Sequence, residues 1–463
     1  MGNEYFLHEK GFVKYLTGLS LPILFQNLLY VATSAINNLM FGYFGEVEMS
    51  GYSQAVQVFF IFTVLTYGFA ATCKIMVSQF WGRNNKESIR TIMGYTLRMA
   101  ACFSAVFTLL FLLVPTVPMK LFSSDPAVVE LGCKYLRVVS LTAILYGMSN
   151  CLYNGFGGVE RTDMYLYGNV LCYGLNLAIN YVLIFGKLGF PQLGIIGAGI
   201  GSLVGRIAEF LYLFITFLRS PEFEFRLSDL RRTIRGTLKR DYYHAFKGMM
   251  GHEIIYSVGI SMGQIIMGHI STIAVAAYNI CYVLFSLVAT LSTAFSTACQ
   301  TAIGKIMGAG ELDRARRASR TMLLLTFWVG VISAVLMVVF GDLFISLYNI
   351  SADTVAYAKG IMPVMAVTAF FTAFEYTALV NIPRAGGDGF TGFIADCITM
   401  WCIAIPLAWF AAFKWGLSPV YVIALIKCDM PLKSAIGVVA VLRGKWIKDL
   451  THDGENTGTA ATV

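Results

Sequence analysis

The sequence predicts an all-α integral membrane protein: twelve transmembrane helices in two pseudo-symmetric six-helix lobes. Composition, the length of the apolar runs and an internal repeat predict it. Of the 463 residues 57% are hydrophobic and only 13% charged, where a soluble domain carries about a quarter charged. The apolar residues fall in blocks of about 18–25, enough to cross ~30 Å of hydrocarbon as helix. Inside lipid every backbone N–H and C=O must be satisfied within the protein, and a helix does this within its own segment. The repeat shows in the pairs Gly42/Gly268, Tyr52/Tyr278, Gly82/Gly308 and Leu121/Leu347, which share one offset, and in Asn154/Asn381, one residue further.

Taken in order, the first six spans are expected near 16–38, 53–78, 92–115, 134–157, 163–186 and 194–218. The second six are expected near 246–268, 280–303, 321–345, 361–383, 391–412 and 418–441. The lobes are then 1–218 and 246–441, with a basic cytoplasmic linker at 219–245 and a cytoplasmic tail at 442–463. The linker holds Arg219, Arg226, Arg231, Arg232, Arg235, Lys239 and Arg240, whereas the outer loops contribute only Lys120, Lys187 and Lys414. This is the positive-inside pattern, so both termini are expected in the cytoplasm. It also turns the net charge of +8 into a topology signal and argues against nucleic acid as a partner. The ten cysteines lie in apolar stretches without a Cys-x-x-Cys pair and read as small buried hydrophobes. No cleavable signal peptide is expected, because the first apolar run is itself full length.

Six spans repeated in the same orientation give a pseudo-two-fold axis along the membrane normal, an architecture of transporters with the substrate site near the midplane. Gly197, Gly201 and Gly205, spaced by four, and Gly259 with Gly263, let neighbouring helices approach closely. Pro22, Pro363 and Pro406 remove backbone donors inside spans 1, 10 and 11 and should kink them. Pro22 is the expected hinge.

The sequence resembles the multidrug and toxin extrusion (MATE) transporters, and within them the DinF-like bacterial branch. The resemblance is carried by "LPILFQNLL" at the first span, "AINNLMFGYFGEVEMSGYSQA" leaving it, and "NYVLIFGKLGFPQLGIIGAGIGSLVGRIAE" across spans 5 and 6. "HEIIYSVGISMG" in span 7, "AAYNI" before span 8 and "NIPRAGGDG" after span 10 extend it over nearly the whole chain. It implies a cation-coupled antiporter that expels amphipathic or cationic compounds by alternating access. Where members of the family carry Asp in spans 1 and 5, this sequence has Asn37 and Asn180; an amide cannot take and release a proton near neutral pH. The family's span 7 glutamate is matched by Glu253, and its span 10 acid aligns nearest Ala373, with Glu375 two residues on.

A carboxylate inside the membrane is costly and is read as functional by default. Glu253, Glu375 and Asp396, all in the second lobe, are the candidate cation-coupling residues. Ser257 and Gln264 share a helical face with Glu253, and Thr368 and Thr372 share one with Glu375. Tyr278, Asn37 and Asn180 are further supporting polar groups. A Glu poised near neutral pH could carry protons, or Glu253 and Glu375 with nearby oxygens could hold Na⁺; the residues leave both ions open. Arg206, Glu209 and Lys74 are also embedded charges, expected to pair or snorkel.

Enzyme-like strings fail their contexts. "GISMG" lies mid-helix where a nucleophile elbow needs strand, turn and helix. "HEIIY" has Tyr256 in place of the second zinc-binding His, and "GAGIG" lacks the third glycine of a dinucleotide loop. No enzyme activity, organic cofactor or phosphate loop is expected, so an ion gradient supplies the energy. The leading expectation is a monomeric antiporter in the bacterial cytoplasmic membrane, meeting lipid and an amphipathic or cationic small molecule. The alternatives are a lipid-linked precursor flippase, which calls for a more cationic cavity, an intramembrane hydrolase, and a receptor.

Overall fold

The computed structural model describes residues 7, 11–42, 46–121, 125–348 and 350–447, and among these there is no strand. Among the described residues twelve long helical elements follow one another, with short helical turns at Thr116–Lys120 and Leu227–Arg231 between them. The first six are α1 (Phe12–Gly42), α2 (Glu46–Gly82), α3 (Lys86–Leu113), α4 (Pro126–Gly158), α5 (Asp163–Phe185) and α6 (Ile195–Arg219). After them come α7 (Gly236–Gly268), α8 (Thr272–Gly308), α9 (Leu312–Ser346), α10 (Ala352–Ala385) and α11 (Phe390–Phe413). The last, α12, is in two pieces, Pro419–Ile426 and Asp429–Arg443.

Among the described residues, nine of these are both long and apolar enough to cross a membrane. The other three are those that carry charge into the fold or are broken. Glu130, Lys134 and Arg137 stand near the start of α4, α7 opens with Lys239, Arg240 and Asp241, and α12 is interrupted. Side-chain caps set several starts. Asn85 accepts from the Ser88 N–H to begin α3, Ser271 from Ala274 to begin α8, and Ser351 from Thr354 to begin α10, each satisfying a donor the helix leaves free. Gly186 closes α5 at a φ of 66°, a left-handed position that costs glycine nothing.

The chain divides into two compact units. One is Leu21–Val77 with Asn85–Ile234; the other takes the chain from Arg235 onward with Ser78–Asn84 and the stretch up to Ser20. The division within α1 falls one residue before Pro22. There the carbonyl of Gly18 has no proline N–H to accept, and Ser20 Oγ donates back to the Leu16 carbonyl at 2.7 Å, which favours bending.

The first unit has an aromatic core in which Phe62, Phe107 and Phe111 meet in series at tilted and edge-on angles beside Tyr146. α6 lies against α5 through the expected glycines: a side chain at 197 would strike the Leu183 backbone, one at 205 the Cys172 carbonyl. Residues 219–234, the first part of the expected basic linker at 219–245, pack on this unit. Lys86 pairs with Glu224 at 2.6 Å, Arg161 with Glu222 at 3.0 Å, and Arg98 donates to the Leu230 and Arg232 carbonyls. Arg161 is held above its ordinary pKa, first by its hydrogen bonds to Asp163. The rest of the expected linker is the first turns of α7: Arg and Lys in a short segment find carboxylates and carbonyls to bind, and the helix pattern continues into the next span.

The second unit has two apolar clusters. One gathers α8, α10 and α12 around Cys281, Ile361, Met365 and Val422; the other gathers Leu16, Ile303, Met322 and Trp446. Within it the repeat-related glycines meet in one place. A side chain at Gly308 would overlap the Gln79 backbone, and one at Gly82 would overlap the Lys305 carbonyl.

Candidate functional site

Local backbone irregularity positions the charged side chains of the second unit. α10 widens to a π-helix over Glu375–Asn381, and α11 over Cys397–Ala404. Each widening runs into a proline, Pro383 and Pro406. Proline has no N–H and its ring crowds the carbonyl four residues back, so the ladder opens by one residue, as π-bulges do at functional sites. Pro363, by contrast, lies within regular α-helix. Glu375 begins the first π segment and Asp396 immediately precedes the second. In α12 the break at Lys427 and Cys428 comes four residues before Pro431 can be accommodated, and Asp429 opens the second piece. There the helix N-terminus favours its charge.

These elements bring seven side chains into one continuous chain of contacts. Arg384 Nη2 lies 2.8 Å from Glu253 Oε1 and 2.8 Å from His252 Nδ1. Arginine can only donate, so in this contact His252 Nδ1 is the acceptor, and Nε2 is the ring nitrogen left to face the next side chain. That nitrogen is 3.3 Å from Asp396 Oδ2. Asp396 Oδ1 is in turn 2.8 Å from Lys433 Nζ, which is also 2.8 Å from Asp429 Oδ2 and 3.3 Å from Glu375 Oε1. The Tyr256 ring stacks beside His252, and the Lys433 ammonium sits 5.3 Å from the centre of that ring. Gly392 leaves room for the imidazole: a Cβ there would come within 2.8 Å of His252 Cδ2.

Glu375, Asp396, Asp429 and Lys433 are each no more than 2% exposed. Four acids contact two bases, Arg384 and Lys433, and Lys427 lines the cavity beside Asp429, so acids outnumber bases when every carboxyl is ionised. Burying such charge is expensive unless it is neutralised, and capacity remains for doing so. Among the described residues Glu375 Oε2 and Asp429 Oδ1 have no hydrogen-bond partner, and neither Asp396 oxygen accepts an aligned one. The arrangement therefore has oxygen acceptors to spare. A cavity of about 30 Å³, room for one water, reaches Asp429 and Lys427 past Tyr278, Gly259 and Gly263.

All three acids expected from the sequence thus belong to one network. Two of the expected supporting groups do not touch it: Ser257 Oγ donates to the Glu253 carbonyl and Thr372 Oγ1 to the Thr368 carbonyl. A hydroxyl on a helix reaches its own carbonyl one turn back more readily than a neighbouring carboxylate. The Gln264 side chain lies outside the described residues. Asp429, Lys433, Arg384 and His252 join the network beyond the sequence expectation; the charges of "KCDMPLK" inside an apolar span are the signal for the first two.

In the first unit, Asn37 and Asn180 meet as well, joined by Asn176. Asn180 Nδ2 donates to Asn37 Oδ1 at 2.9 Å and to Asn176 Oδ1 at 3.2 Å, and Asn37 Nδ2 donates to Asn176 Oδ1 at 3.2 Å. Asn176 passes its own donor to Ser202 Oγ. This amide triangle holds no ionisable group. Arg206 and Glu209 pair with one another on α6, the guanidinium 5.0 Å from the centre of the Tyr146 ring; Lys74 is buried.

A polytopic helical fold with a charge cluster buried deep in one unit is the class of a membrane transporter, not an enzyme. The family model MatE matches residues 22–182 and 249–410, once in each half, and the chain belongs to this family of MATE transporters. It is 26% identical to a probable multidrug resistance protein NorM of Rhizobium meliloti, covering 86% of each chain. It is 23% identical to a NorM-named relative of Thermotoga maritima over 94% of this chain and 93% of that one. An outward-facing multidrug resistance MATE family transporter of the MOP superfamily superposes with a TM-score of 0.85, at 15% identity, over 95% of this chain and 97% of that one. A MATE crystal structure in complex with MaL6 gives a TM-score of 0.85 at 15% identity, covering 94% and 96%.

Proposed function

We propose that the protein is a secondary antiporter that exports amphipathic or cationic small molecules across the bacterial cytoplasmic membrane in exchange for H⁺ or Na⁺. The observation that carries this reading is the charge imbalance of the buried network: Glu253, Glu375, Asp396 and Asp429 against Arg384 and Lys433, with Lys427 at its edge. An antiporter needs a group whose occupation by the ion and by the substrate oppose each other, and linkage makes each ligand weaken the other equally. An acidic cluster that changes charge on binding one cation meets that need. Relatives named as multidrug resistance proteins support small organic molecules as the cargo. A net acidic cluster does not favour the flippase alternative, which calls for a cationic cavity. The two lobes alternate in access, with Pro22 as hinge in α1; the chain works as a monomer with both termini in the cytoplasm.

The test is transport in liposomes of a fluorescent organic cation, with H⁺ and Na⁺ gradients imposed separately. Uphill efflux driven by one of the two gradients is expected. Equal, purely downhill movement under both would overturn the antiport reading.

A further inference from the structure

Resting on the antiport reading, the surroundings of Lys433 lead one step further, to what this lobe refuses. Lys433 is wholly buried. Its ammonium has three N–H donors and three carboxylate neighbours on three helices: Glu375 from α10, Asp396 from α11 and Asp429 from α12, at 3.3, 2.8 and 2.8 Å. Tyr256 of α7 closes a fourth side with its ring face, where a cation is attracted to the ring's quadrupole. This is a shell of hard oxygen donors around a single positive charge, the kind of surroundings a free hard cation seeks.

We infer that Lys433 is a tethered counter-cation filling the seat a free Na⁺ would take among Glu375, Asp396 and Asp429, so that the acidic cluster excludes metal ions. The tether matters. Asp429 lies one helical turn before Lys433 and the pair spans i,i+4, so the ammonium is held over the site at an effective concentration that a dissolved ion must exceed. At the other end of the network Arg384 occupies Glu253 in the same way, at 2.8 Å. The two acids that the sequence offers as Na⁺ ligands, Glu253 and Glu375, therefore each already face a covalently attached cation. With metal ions shut out, the proton is the coupling ion that fits, since it adds to a carboxylate oxygen without needing a coordination shell.

The test uses the full chain purified in detergent, with Na⁺ itself as the probe. Saturable binding of radioactive sodium is measured together with the melting temperature in sodium chloride and in choline chloride at equal ionic strength. The wild-type protein is expected to bind no sodium saturably and to melt at the same temperature in both salts. Lys433→Gln is expected to gain saturable binding and to melt a few degrees higher in sodium. Should Lys433→Gln fail to fold, Lys433→Gln with Asp429→Asn removes one base and one acid together, keeps the net charge of the cluster, and is expected to show the same gain. Saturable sodium binding by the wild type that Glu375→Gln abolishes would overturn the inference, and so would a folded Lys433 variant indifferent to sodium. Absence of any gradient-driven efflux by the wild type would count against the antiport reading alone, because the sodium measurements do not depend on transport.

Discussion

Arg384 at the end of α10 and Glu253 on α7 stand 131 residues apart in sequence, yet their side chains form a 2.8 Å ion pair, with His252 on the same guanidinium nitrogen. The guanidinium is 6% and the carboxylate 17% exposed. A pair this enclosed holds two helices together, and the same guanidinium engages His252 Nδ1, so that Nε2 is the nitrogen facing Asp396.

Arg384→Ala leaves Glu253 without its partner in the interior. Removing one member of a buried pair costs about 3–5 kcal/mol, far more than losing both together. The single variant is expected to unfold at markedly lower temperature, and Glu253→Gln with Arg384→Met to recover a good part of the loss. A double-mutant cycle on thermal unfolding checks it. Strict additivity of the two changes would show that the pair contributes nothing as a pair.

Gly201→Ala probes the amide triangle. A side chain there would overlap Asn180 Oδ1, and Asn180 is 1% exposed with no space to retreat. The displaced amide would pull its Nδ2 donor away from Asn37 Oδ1 and Asn176 Oδ1, at about 1–3 kcal/mol for each buried group left unsatisfied. Lower thermal stability is the expected result. Ordinary stability in Gly201→Ala would mean that α5 and α6 part more easily than their glycine contacts imply.

Much of this was legible in the sequence, and for identifiable reasons. Spans read well because lipid forces long apolar helices, and the glycine rows read well because spacing by four places them on one face. Glu253, Glu375 and Asp396 stood out because a carboxylate amid Leu, Ile and Phe is hard to miss. Their mutual contacts did not, since they depend on which faces α7, α10, α11 and α12 turn to one another and on two π segments that no periodicity announces. Ser257 and Thr372 shared the right helical face, but helical spacing cannot say whether a hydroxyl turns to a neighbour or to its own backbone. The basic stretch at 219–234 signals topology through its charges, and the contacts that Glu222, Glu224 and Asp229 give it depend on the folded arrangement.

Lys239 tests the orientation. It is exposed at the start of α7, in the most basic part of the chain. With the termini cytoplasmic, Lys239→Cys is expected to react with an impermeant maleimide in inverted vesicles and to stay unlabelled in intact cells. Labelling of intact cells would reverse the topology drawn from the loop charges.

The final prediction separates the two glutamates. The sequence favours Glu253 as the principal coupling carboxylate, since it matches the family motif and lies on a polar face. In the structure Glu253 is engaged by Arg384, whereas Glu375 shares Lys433 with two other acids and keeps Oε2 unpartnered. A group that must change charge during the cycle is better served by the second environment, where a proton can settle without stranding a dedicated base. Glutamine keeps the shape of either side chain and fixes it neutral. Glu375→Gln is therefore expected to fold normally and bind the organic cation, while the proton's effect on that binding falls about tenfold or more, on the scale of a coupling free energy of about 1–3 kcal/mol. Glu253→Gln leaves Arg384 facing an amide in a buried site, so its main expected loss is stability, with coupling reduced less in the protein that does fold. Binding of a fluorescent organic cation measured across pH, alongside gradient-driven efflux in liposomes, distinguishes the two. Full pH linkage retained by Glu375→Gln and lost by a well-folded Glu253→Gln would return the coupling role to Glu253, with Arg384 as the base it releases.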